Sequence, residues 1–116
     1  MTVVETQEFL KRAKSVMPDS ERAELVLFVG TNPEAGEIIP ETGGVRKIRW
    51  AIDGRGKRGG ARVIYYYHNK SMPLFLLTAY AKNQMEDLSM AERNAMKSLV
   101  PILIASYQKT SYLKKV

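Results

Sequence analysis

Between residues 45 and 82, three runs rich in β-branched and aromatic residues follow one another with only short connections between them. In the first, 45–53, Ile48, Trp50 and Ile52 alternate with Lys47, Arg49 and Asp53. In the second, 61–68, Val63 and Ile64 precede Tyr65, Tyr66 and Tyr67. The third, 73–82, reads PLFLLTAYAK. Such side chains suit a pleated, half-buried surface. The basic loop GRGKRGG (54–60) joins the first two runs, and His68-Asn-Lys-Ser-Met72 is a short hairpin link to the third. An antiparallel sheet is therefore expected at the centre of the fold.

The flanking segments supply helices. Residues 2–5 can form a short edge strand. Residues 6–17 carry Phe9, Leu10, Ala13, Val16 and Met17 at helical spacing, and Pro18-Asp19 breaks that segment. Asp19 is a candidate N-cap for a second helix over 20–31, although the LVLFV run within it suits a strand as well. Asn32-Pro33 ends this element, and 37–44 reads as an irregular approach closing on Gly43-Gly44. Ser89 and Glu92 form a capping-box pattern, and Leu88, Ala95, Met96, Leu99, Ile102 and Leu103 make an apolar stripe. Pro101 is expected to kink or break that last helix, and the basic tail from Lys109 to Val116 to fray. At 116 residues, 45% of them hydrophobic, the chain can bury one modest core but not two. The expected architecture is one small α+β domain over residues 1–116.

Several function classes fall away on composition. There is no cysteine, so disulfides and thiolate chemistry are excluded, which fits a reducing cytoplasm. Residues 1–14 lack the pattern of a secretory signal, and no run approaches the roughly 18 apolar residues of a membrane span. The expected location is cytoplasmic, with no membrane partner. The formal charge of +6 favours a polyanionic partner.

Strand alternation decides where that charge points. In the first run Lys47 and Arg49 oppose the Ile48, Trp50 and Ile52 face. Arg62 opens the second run directly after the basic loop. In the third, Phe75, Leu77 and Ala79 are expected to face the core, and Thr78, Tyr80 and Lys82 the other side. The result is an open, basic, tyrosine-bearing face bordered by residues 54–60. Cations among aromatic rings suit single-stranded RNA, whose phosphates pair with Lys and Arg and whose bases stack on rings. The plainer alternative is a solvated face with half-buried tyrosines and an idle hairpin tip; alternation forces at least one of Tyr65, Tyr66 and Tyr67 inward. GRGKRGG is neither a Walker loop nor a dinucleotide fingerprint, because it lacks the Gly-Lys-Ser/Thr ending and leads into a strand. It offers backbone N–H groups and the cations Arg55, Lys57 and Arg58 to an oxyanion.

With one histidine and no cysteine, a histidine-pair mechanism and a Cys/His zinc site are absent. His68 is expected to be a surface or capping residue. Acids near a helix start, such as Glu86-Asp87, more often complement the helix dipole than bind metal. No metal site and no cofactor are expected. Lysine, arginine and tyrosine can still cleave RNA, which carries its own 2′-hydroxyl nucleophile. Lys57, crowded by Arg55 and Arg58, should have a lowered pKa and can act as base. Arg62 can hold phosphate oxygens bidentately. Lys82 can stabilise charge or give a proton to the leaving 5′-oxygen.

GGVRKIRW (43–50), GRGKRGGARVIYYY (54–67) and LLTAYAKNQMEDLS (76–89) together resemble the RelE/HigB superfamily of toxin–antitoxin toxins, most nearly its HigB-like branch. The resemblance covers about residues 1–107. It implies a small microbial RNase-like fold with helices packed on one face of an antiparallel sheet. It implies an mRNA endoribonuclease (mRNA interferase) acting in the ribosomal A site, without metal, and restrained by a cognate antitoxin. The family's active-site cations fall on Arg55 and Lys57, then Arg62, then Lys82; Arg46, Lys47 and Arg49 would contact RNA or ribosome. Some relatives carry arginine where Lys82 stands, and others add a carboxy-terminal tyrosine, for which Tyr107 and Tyr112 are candidates. Tyr80 and Asn83 stand nearer the site. Two alternatives use the same face without catalysis: an RNA-binding module, and an antitoxin-binding surface only.

Overall fold

The computed structural model describes the backbone of residues 1–52, 56–84 and 87–115, and the side chains of residues 1–52, 60–84 and 87–107. The elements are β1 (Val3–Glu5), α1 (Gln7–Val16), α2 (Asp19–Thr31), β2 (Glu37–Ile38), β3 (Val45–Ile52), β4 (Gly56–Tyr66), β5 (Leu74–Ala81) and α3 (Met90–Lys115). The strands form one five-stranded sheet in the order β1-β5-β4-β3-β2. β3, β4 and β5 form the expected antiparallel meander, and β2 adds an antiparallel edge. The sheet is mixed, because β1 pairs parallel with β5 through Val3 and Leu74, Val4 and Phe75, and Glu5 and Leu76.

Local chemistry explains the helix boundaries. The Thr6 side chain caps α1 by accepting from the Phe9 N–H at 3.2 Å, and its hydroxyl donates to the Leu76 carbonyl at 2.8 Å, pinning the helix start to β5. The 20–31 segment is a helix. Its cap position is Pro18, without a side-chain bond, and Asp19 is its first residue rather than its cap. The capping box at α3 is present: the Ser89 N–H donates to Glu92 Oε1 at 3.0 Å, and the Glu92 N–H donates to Ser89 Oγ at 3.2 Å. α3 continues through Pro101, so the helix is not broken there, and its end at Lys115 takes in most of the tail expected to fray. The turn into β3 uses glycine where L side chains are strained, with φ of 78° at Gly43 and 109° at Gly44.

Two apolar clusters lie against the sheet. α1 and α2 bring Phe9, Ala13, Leu25 and Val29 onto Ile48, Val63, Tyr65, Leu74 and Leu76. On the opposite face Val100, with Leu99 and Leu103 of α3, packs with Val45, Ile64, Tyr66, Leu77 and Tyr80. Helices thus lie on both sides, and the second face is open only in part. The phase of β5 also departs from simple alternation. The β4–β5 register shifts between Ile64 and Tyr65. Leu74, Leu76 and Ala79 belong to the α1/α2 cluster, while Leu77 packs beneath α3 with Tyr80. The expected grouping of Leu77 with Ala79 fails because a bulge rotates the following residues to the other side.

Tyr65 shows how the loop after α2 is anchored. Its hydroxyl donates to the Pro33 carbonyl at 2.8 Å and accepts from the Gly36 N–H at 2.8 Å. A Cβ at Gly36 would stand 2.9 Å from the Tyr65 ring and hydroxyl and 3.0 Å from the Lys47 carbonyl oxygen. Gly36→Ala should therefore lower stability by about 1–3 kcal/mol, the cost of overpacking. Urea denaturation reads this directly, and an unchanged midpoint would contradict the packing described.

Candidate nucleic-acid interface

The centre of the candidate interface is a row across three strands. Arg49 of β3 pairs with Arg62 of β4, which pairs with Tyr80 of β5. All three positions share the face that carries α3. Arg49 is exposed at the outer end of the row. Arg62 is only 4% exposed and Tyr80 only 5%. The low local dielectric around an arginine so deeply set in a sheet strengthens its pull on an approaching anion. One Arg62 Nη1 contact is to the Ala61 carbonyl at 3.3 Å.

The Tyr80 hydroxyl is buried with no hydrogen-bond partner among the described residues. Burial pushes its pKa up, Asp87 adds to that, and Arg62 opposes it. It therefore remains protonated at neutral pH and can donate. The tyrosine was expected on an open face; instead it is roofed by α3.

The other expected site residues divide. Lys82 follows β5, where its N–H donates to the Gly60 carbonyl at 3.3 Å. This puts it at the same end of the sheet as the basic glycine-rich segment. Asn83 is exposed in the turn beyond. Lys47 shares the face with Arg49, one step further along β3, and its Nζ lies 3.5 Å from Asp87 Oδ1. Arg46 points to the other side: its Nη1 donates to the carbonyls of Gly36 at 2.8 Å and Glu34 at 3.3 Å. The structure therefore does not bring Arg46 together with the row.

The basic segment is less of a loop than its glycines suggest. Gly56 to Gly60 are the first residues of β4, with Gly56 paired to Ile52 after a register shift. Arg55 lies outside the described residues, as do the side chains of Lys57, Arg58 and Tyr112. His68 is exposed, and its Nδ1 is hydrogen-bonded with the Tyr66 hydroxyl at 2.9 Å, the surface role expected of it.

Arg93 escaped the sequence reading. It enters the site from α3, with Nη2 3.0 Å from Asp87 Oδ2. No local pattern in the sequence marks it, because its place depends on how α3 returns to the sheet. Asp87 in turn feels opposed influences. Burial pushes its carboxyl up, but the Leu88 N–H, Lys47 and Arg93 together outweigh this and hold it below its ordinary value.

A cavity of about 610 Å³ lies between α1, β5 and α3, walled mainly by Leu77, Ala79, Met96, Leu99 and Leu103. It shares Tyr80 with the row, but its apolar walls suit apolar contact rather than phosphate. Among the described residues there is no group of three or more His, Cys, Asp or Glu placed to hold a metal ion, and no helix long and apolar enough to cross a membrane.

Comparison with known families agrees with this geometry. The model of the RelE toxin of the RelE/RelB toxin–antitoxin system matches residues 1–115. A match of that extent, on a small α+β fold with a basic row at its centre, places the chain in the RelE toxin family, as the toxin of a toxin–antitoxin system that pairs with an antitoxin.

Proposed function

We propose that residues 1–116 act as one toxin domain of the HigB-like branch, which cuts mRNA in the ribosomal A site in the cytoplasm and so stops translation and growth until its antitoxin binds. The observation that carries this reading is the buried guanidinium of Arg62, flanked across the sheet by Arg49 and Tyr80. The proposed step is attack by the 2′-oxygen on the adjacent phosphorus. The new P–O2′ bond forms as the P–O5′ bond breaks. Lys57 takes the 2′-hydroxyl proton, Arg62 holds the charge that builds on the phosphate oxygens, and Lys82 supplies a proton to the departing 5′-oxygen. The cleavage requires no metal. Lys47, Arg49, Arg55, Arg58, Tyr80 and Asn83 hold the RNA around that phosphate.

Purified protein added to a reconstituted translation reaction should cut the message, and should leave it intact when ribosomes are omitted. Salt-sensitive binding with an uncut message would instead identify a non-catalytic RNA-binding module. Lys82→Ala should slow cleavage about 10²–10³-fold, the usual cost of one transition-state donor.

A further inference from the structure

Asp87 precedes α3 in the connection from β5, and donors from three places converge on its carboxylate. Oδ1 accepts from the Leu88 N–H at 2.8 Å and lies 3.5 Å from Lys47 Nζ on β3. Oδ2 accepts from Arg93 Nη2 at 3.0 Å. An ammonium, a guanidinium and a backbone N–H are the groups that commonly hold RNA phosphate oxygens. We propose that Lys47 and Arg93 form a phosphate subsite beside the Arg49–Arg62–Tyr80 row, and that the chain's own Asp87 carboxylate fills it while RNA is absent. The ligand is an RNA phosphodiester, and the inference rests on the reading of this face as RNA-binding.

Three features let the carboxylate act as a removable stand-in. The side chain of Asp87 is 46% exposed, against 26% for Lys47 and 23% for Arg93. The cations are thus held by the fold, while the anion is the partner most open to solvent. Asp87 also lies outside the regular elements. The capping box that starts α3 is made by Ser89 and Glu92, so Asp87 can swing away without uncapping the helix. Finally, the buried Tyr80 hydroxyl lies within electrostatic reach of Asp87, Arg62 and Arg93. Glu92 is the other acid acting on this hydroxyl, but its carboxylate is engaged by the Ser89 N–H. An entering phosphate exchanges one oxyanion for another, so the carboxylate competes with RNA while keeping the two cations in place.

The test is binding of the full chain to RNA it cannot cut. The probes are a single-stranded, fully 2′-O-methylated oligoribonucleotide, ribosomes programmed with a 2′-O-methylated message, and vacant ribosomes. Asp87→Asn keeps the shape and removes the charge. It should tighten binding about 3- to 10-fold at low salt, the scale of weakened exposed ion pairs. The gain should vanish when Lys47→Gln and Arg93→Gln are added. Asp87→Ser, which retains an acceptor for the Leu88 N–H, should behave like Asp87→Asn. Glu24→Gln, an exposed change on α2, should give no comparable gain and so excludes a general charge effect. A gain with the oligonucleotide and programmed ribosomes supports the subsite and assigns its phosphate to the message. A gain confined to ribosomes, vacant ones included, supports it with a ribosomal RNA phosphate. No gain, or a gain that survives Lys47→Gln and Arg93→Gln, overturns it. If the wild-type protein binds none of the probes, the RNA reading falls as well. Salt-sensitive wild-type binding without a gain from Asp87→Asn sinks the subsite alone.

Discussion

Arg62→Ala is expected to lower the rate of message cleavage about 10²–10³-fold, the usual cost of removing one preorganised donor from a developing oxyanion. Arg62 sits where β3, β4 and β5 meet in register, and it is almost fully buried. A guanidinium held there does not have to be ordered at the moment of reaction. It can also offer two parallel N–H groups to one phosphate. Arg62→Lys keeps the charge but loses the fork, and should recover only part of the rate. Single-turnover cleavage on programmed ribosomes, with variants that retain the wild-type far-UV circular dichroism, measures the effect. A folded Arg62→Ala protein that cuts at the wild-type rate would remove Arg62 from the chemistry.

Tyr65→Ala is expected to cost about 3–5 kcal/mol of stability, the range for truncating a large buried aromatic side chain. The ring is fully buried between the sheet and the α1/α2 layer. Its hydroxyl bridges the Pro33 carbonyl and the Gly36 N–H, and both would lose that partner. Tyr65→Phe keeps the ring and should cost about 1–3 kcal/mol, the penalty of leaving buried polar groups unpaired. Tyr67, only partly buried at the edge of the same cluster, should cost less on truncation to alanine. Chemical denaturation of the three variants tests the order. Equal midpoints for Tyr65→Ala and Tyr67→Ala would contradict the assignment of Tyr65 as the anchor.

What the chain announces in its sequence follows from how local each signal is. The capping box of Ser89 and Glu92 closes within one helical turn, so residue identity and spacing suffice. β3 is legible because one face is apolar and the other charged: Ile48, Trp50 and Ile52 pack with the α1/α2 layer, and Lys47 and Arg49 lie opposite. β5 is not, because it is apolar on both faces. Nothing in PLFLLTAYAK marks the bulge that turns Ala79 to the α1/α2 layer and Tyr80 beneath α3 with Leu77. The glycines of 54–60 suggested a loop, but a glycine-rich segment can still extend a strand when a partner is in register, as Gly56 does with Ile52. Pro101 removes one donor from α3, yet the helix continues through it with neighbouring Val100 and Leu103 in the α3-side cluster. Burial of this kind outweighs a local propensity.

The candidate site divides in the same way. Arg62 could be placed beside the basic segment because it opens the second run directly after it, whereas Tyr80 shares a face with Leu77 only because of the bulge in register. That α3 would roof Tyr80 could not be foreseen, since it depends on how a distant helix returns to the sheet. The inward turn of Arg46 depends on the carbonyls of Glu34 and Gly36, which lie on a separate loop. Arg93 came to light only through Asp87, which joins α3 to β3 across the basic face.

The most direct test of the central claim is the chemistry of the cut ends. Message recovered from ribosomes treated with the protein should carry a 2′,3′-cyclic phosphate, or the 3′-phosphate formed when it opens, upstream of the break and a 5′-hydroxyl downstream. These ends result when the RNA's own 2′-oxygen is the nucleophile, as the cluster of Lys57, Arg62 and Lys82 is proposed to promote. Ends bearing a 3′-hydroxyl and a 5′-phosphate, or a message that stays whole on the ribosome, would contradict it.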